Sequence, residues 1–275
     1  MEDFWWPQSF FEKFSNTQAL ELDKDFRMSG MMAHSRLRKL LLDDSPFQPT
    51  FELIGPPGRL KNLSDTSLAL RKTAYLGGQE VLVEIMPFKV DKGGFMPAEL
   101  RRRFCTIAAL LNTEDVGELR VLRCLHWREV REYDGSVLKT TYQLISALPA
   151  GLGKEFKTLK EVVRLLRGER KPSLDVRLKM CYVLAQTICQ CLSVGWRHRS
   201  IRSENVLFFF QDIINTRGAA LKTPFLCGFE ESRLDDDYSM NQHGDDSIES
   251  NIYRHPDRWG TPKAKFNAYH DLYFA

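Results

Sequence analysis

Between residues 173 and 210 this chain places one long amphipathic helix, a polar loop and a short, wholly apolar strand in immediate succession. No other feature of the sequence constrains the fold so strongly. Ser173 can cap the helix, Val176, Met180, Val183, Leu184 and Cys191 recur at helical spacing, and Gly195 suits its C-terminal stop. The loop His198-Arg199-Ser200-Ile201-Arg202-Ser203-Glu204-Asn205 is basic and polar, and Val206 to Phe210 is an unbroken β-type run. The simplest reading of the loop is a basic turn between helix and strand.

Three further stretches follow in an order that gives the loop more meaning. They are Pro224-Phe225-Leu226-Cys227-Gly228-Phe229-Glu230, then Ile252-Tyr253-Arg254-His255-Pro256-Asp257, then Tyr269-His270-Asp271-Leu272-Tyr273. With the 198–205 loop before them, the four in order resemble the catalytic loop, the metal-binding strand end, the end of the activation segment and the aspartate opening the large central helix of a protein kinase. Within that superfamily the chain resembles the kinase-like domain of filamentous fungi that often follows a HeLo-type prion-inhibition or cell-death domain. The resemblance covers residues from about 50 onward and is most specific in the last third.

What the resemblance implies for chemistry is decided position by position. His198, Arg199 and Asn205 match the loop pattern H-R-D-L-x-x-x-N, but Ser200 stands in place of the catalytic Asp, with Arg202 two residues on. A serine hydroxyl cannot hold a proton taken from a substrate at neutral pH, so it cannot serve as the general base. Gly228 stands in place of the Asp that binds magnesium, which leaves Asn205 as the one evident metal ligand of a degenerate site.

The third position lies in the N-terminal half. Val81-Leu82-Val83-Glu84-Ile85-Met86 alternates like the strand that carries the phosphate-binding lysine, and Glu84 falls in place of that lysine. A carboxylate there repels a triphosphate. The alternative is a slip in the alignment, for which Lys89, beyond Pro87, is a poor substitute. A helix is expected from about Pro97 through Leu111, carrying Glu99, Arg101, Arg102 and Arg103. Glu84 is expected to pair with one of these arginines in a reversed ion pair, the alternative being a solvated basic face.

No glycine-rich loop of kinase form precedes this strand, and Gly77-Gly78 reads as a hairpin turn. Val121 to Val130, Asp134-Gly135 and Val137 to Ile145 form a second hairpin signal. Leu148-Pro149-Ala150-Gly151-Leu152-Gly153 then breaks the pattern, as an interlobe connection would. Asp235 to Ser250 is acidic and reads as a solvated loop, with Ser239, Ser247 and Ser250 as candidate phosphorylation sites.

The fold class expected is α+β, a kinase-like bilobal architecture with a β-rich N-lobe and a helical C-lobe cut short after the activation segment. The division expected is an N-terminal extension over 1–50, an N-lobe over 51–149 and a partial C-lobe over 150–275. The extension combines an aromatic segment, Phe4-Trp5-Trp6, with an amphipathic stretch from Arg27 to Leu42, for which membrane-surface contact is the less favoured reading. Because the chain stops at Ala275, an apolar face is expected to need a partner or the remainder of a longer protein.

Composition excludes several classes. Lys and Arg number 39 against 36 Asp and Glu, a net charge of +3 that is too small to argue for nucleic acid. The six cysteines are scattered through expected helices and strands, lacking both a secreted disulfide framework and metal-type spacing. No apolar run approaches a membrane span, and Glu2 and Asp3 replace the positive start of a signal peptide, so a cytoplasmic protein without a transmembrane segment is expected. The functional expectation is a catalytically impaired pseudokinase, a regulatory or protein-binding module in a heterokaryon-incompatibility type of pathway. No cofactor is expected, with ATP and Mg²⁺ relevant only if activity remains. Two other readings stay open: an atypical ATP-dependent serine/threonine kinase in which Glu204, Glu230 or Glu231 replaces the lost carboxylates, and a truncated non-functional remnant.

Overall fold

The computed structural model describes residues 60–61, 70–88, 98–112, 119–134, 137–166, 171–193, 195–211, 218–234, 248–259 and 265–273. The whole extension 1–50 therefore lies outside the described residues, as do Lys89 and most of the acidic stretch. Of that stretch, the described end enters a short helix, α4 (Ile248–Asn251).

The chain is a mixed α+β protein with antiparallel sheets. Five strands, β1 (Leu60–Lys61), β2 (Arg71–Leu76), β3 (Gln79–Phe88), β4 (Cys124–Asp134) and β5 (Val137–Ala147), form one sheet in the order β1-β2-β3-β5-β4. Both expected hairpins are present. Gly77 and Gly78 have φ of 58° and 87°, so two consecutive residues with positive φ turn β2 into β3 with Leu76 opposite Gln79. At the second turn Asp134 faces Val137, and β4 runs four residues past the expected Val130 to reach it.

Helix α1 (Ala98–Asn112) packs on β4, and its Phe104 meets Trp127 of β4 and Tyr142 of β5 at ring separations of 5.5 and 4.8 Å. Beyond the break at 148–153, β6 (Glu155–Thr158), β8 (Val206–Phe210) and β9 (Phe225–Leu226) make a second sheet in the order β6-β8-β9. Every residue of β8 is buried, which is why its sequence is apolar throughout and not alternating. Helix α2 (Leu159–Leu165) begins at Thr158, whose hydroxyl and the Glu161 carboxylate form a reciprocal capping box.

Helix α3 (Leu174–Ser193) has the expected limits: Ser173 Oγ accepts from the Val176 amide at 3.4 Å, and Gly195 takes a φ of 77° just beyond its end. β7 (Trp196–Arg197) follows and pairs with β10 (Arg233–Leu234). Helix α5 (Ala268–Leu272) lies against α3. One buried cluster runs from Phe104 and Trp127 through Val176, Ile188 and Trp196 to Phe208 and Phe229, so the first sheet, α3 and the loop that follows share a core. No described helix is long and apolar enough to cross a membrane.

Candidate functional site

The loop after α3 is held by two buried charged side chains from distant parts of the chain, Asp271 and Arg71. Asp271, on α5, accepts the backbone N–H of His198 at Oδ2 and of Arg199 at Oδ1, both at 2.8 Å. Its carboxyl is 1% exposed, and burial pushes it up to about 6 against the pull of those two amides. Arg199, at a φ of 65°, lays its guanidinium 4.7 Å from the Phe266 ring centroid.

His198 uses both ring nitrogens internally. Nδ1 accepts the Ser200 amide at 3.2 Å, which places the proton on Nε2, and Nε2 donates to the Cys227 carbonyl at 3.0 Å. Burial pushes this imidazole down to about 3, with the Arg202 and Arg71 charges adding to the effect, and its ring packs 4.6 Å from Phe229. A histidine bound in this way cannot activate the Ser200 hydroxyl. That hydroxyl instead accepts a hydrogen bond from Asn205 Nδ2 at 3.1 Å.

The centre of the site is a residue that sequence reasoning overlooked. Arg71 on β2 lies directly opposite Glu84 on β3, and its Nε donates to Glu84 Oε1 at 3.1 Å. The rest of its guanidinium crosses to the loop: Nη1 donates to the Glu204 carbonyl at 2.8 Å and Nη2 to Asn205 Oδ1 at 2.6 Å. Glu84 Oε1 also accepts the Gly228 amide at 3.0 Å. Arg71 and Glu84 are 7% and 5% exposed, so this is a buried, multiply hydrogen-bonded pair. It ties the first sheet to the loop and to the turn at 228.

The expected pairing of Glu84 with an arginine of the following helix is thereby corrected. A residue opposite in a strand pair is about 5 Å away, and Arg71 reaches the carboxylate from there. The helix arginines include Arg103, whose Nη2 donates to the Glu230 backbone carbonyl at 2.7 Å. α1 is therefore fastened to the 228–231 turn by a route that bypasses Glu84. Arg202 meets Glu230 at 3.4 Å, and burial pushes the Glu230 carboxyl up to about 7, with the Glu84 charge acting in the same direction.

Asn205 and Gly228, expected as metal ligand and vacant ligand position, are in contact with each other. A Cβ at Gly228 would lie 2.3 Å from Asn205 Cγ, and Gly228 has a φ of 79°. A side chain at 228 is excluded on both counts while Asn205 stays where it is. Asn205 is itself committed: Oδ1 faces the Arg71 guanidinium, and Nδ2 donates to the Ser200 carbonyl at 2.8 Å. A cation at Oδ1 would have to displace an arginine. The arrangement brings Asn205 and Glu84 together on the Arg71 guanidinium, with Gly228 bonded to Glu84 and Ser200 to Asn205. Glu204, considered as a substitute carboxylate, directs Oε1 to Lys160 at 2.6 Å.

Among the described residues, His255, Asp257 and His270 also bring potential metal-ligand atoms within 4.8 Å of one another. Nδ1 of His255 accepts the Asp257 amide at 3.2 Å, and Nδ1 of His270 accepts the Asn267 amide at 2.8 Å. Both rings then carry their proton on Nε2, so neither presents a lone pair there. This cluster caps a 3-10 turn and α5.

No protein-family model matches this chain, and no curated protein matches it.

Proposed function

We propose that the chain is a protein-kinase-like pseudokinase of the fungal cell-death-associated type, acting as a regulatory or protein-binding module independently of nucleotide. The kinase-like bilobal reading rests on the ordered sequence matches at His198–Asn205, Cys227–Glu230, Pro256-Asp257 and Asp271. Each of the three positions where phosphotransfer would need a carboxylate or a lysine bears a residue unsuited to it: Ser200, Gly228 and Glu84. The observation that carries the proposal is Arg71. A kinase orders its two lobes around bound ATP and magnesium, whereas here a buried guanidinium joins Glu84, Asn205 and the Glu204 carbonyl by hydrogen bonds. Positive charge that a metal and a lysine would supply is already provided by Arg71, and no nucleotide is needed for the connection it makes.

The test is thermal denaturation of the purified chain with ATP and Mg²⁺, separately and together, alongside a phosphotransfer assay on a generic protein substrate. No shift and no transfer are expected. A ligand held at 100 times its Kd stabilises by about 2.7 kcal/mol, so a binder would be seen readily. A magnesium-dependent shift that Asn205→Ala abolishes, or transfer of the γ-phosphate, would favour an atypical kinase instead.

A further inference from the structure

We draw no further inference here: the strongest candidate, the side-chain cluster beside the 198–205 loop in which the Tyr253 and Ser203 hydroxyls meet at 2.5 Å and Glu204 meets Lys160 of α2 at 2.6 Å, ties that loop to its neighbours and so belongs to the site already described.

Discussion

Replacing Arg71 by Met removes the guanidinium and keeps much of the side-chain volume. Glu84, 5% exposed, would then keep a single hydrogen bond, from the Gly228 amide, and Asn205 Oδ1 and the Glu204 carbonyl would each lose a donor. Leaving one member of a buried ion pair without its partner costs about 3–5 kcal/mol. Glu84→Met, the reverse deletion, leaves Arg71 with its two loop acceptors but strands the Gly228 amide, at a similar cost of about 3–5 kcal/mol. Independent sites would make the double variant about 6–10 kcal/mol less stable. Since removing both charges abolishes the uncompensated one, we expect the double loss to be about 4–6 kcal/mol, a coupling of at least about 2 kcal/mol. Urea denaturation of the four proteins measures the cycle, with the slope m checked for constancy. Additivity to within about 0.5 kcal/mol would refute the claim that Arg71 and Glu84 form the central link of the site.

Gly228→Ala should destabilise the chain by about 2–4 kcal/mol, because the new Cβ meets Asn205 in a backbone conformation unfavourable to side chains. Thermal denaturation indistinguishable from the native chain would contradict the close approach. Glu230 holds its proton more tightly when folded, so its contribution to stability is complete below about pH 4 and is lost as pH rises to about 7. Glu230→Gln lacks this titration, and its stability relative to the native chain should rise across that window by about 1–3 kcal/mol and then level off. A pH-independent difference in denaturation free energy would remove the burial argument for that carboxyl.

Much of the site was legible in the residues themselves, and one part was legible but unread. The Gly77-Gly78 turn sets the register of β2 against β3, and counting outward from it places Arg71 opposite Glu84. The cross-strand partner of the misplaced carboxylate could therefore have been named from the sequence. The kinase pattern that the sequence resembles pairs strand with helix and so points to the helix arginines instead. The Cys227–Glu230 and Asp271 matches did mark residues that the fold gathers around His198.

Local sequence determined the elements: the Gly77-Gly78 turn with its positive φ, a 20-residue helix with Ser173 and Gly195 at its limits, and an apolar strand buried on both faces. These follow from interactions a few residues apart, which a short window of sequence contains. On the proposed kinase-like reading it also shows that Ser200, Gly228 and Glu84 lack the general base, the metal ligand and the cation of phosphotransfer. Only the tertiary structure decided what those positions do instead. Arg71 and Asn205 are 134 residues apart, and Glu84 and Gly228 are 144 apart. No local preference specifies such contacts. They arise when the shared core brings the first sheet against the loop, and burial then requires the carboxylate, the amide and the guanidinium to satisfy one another.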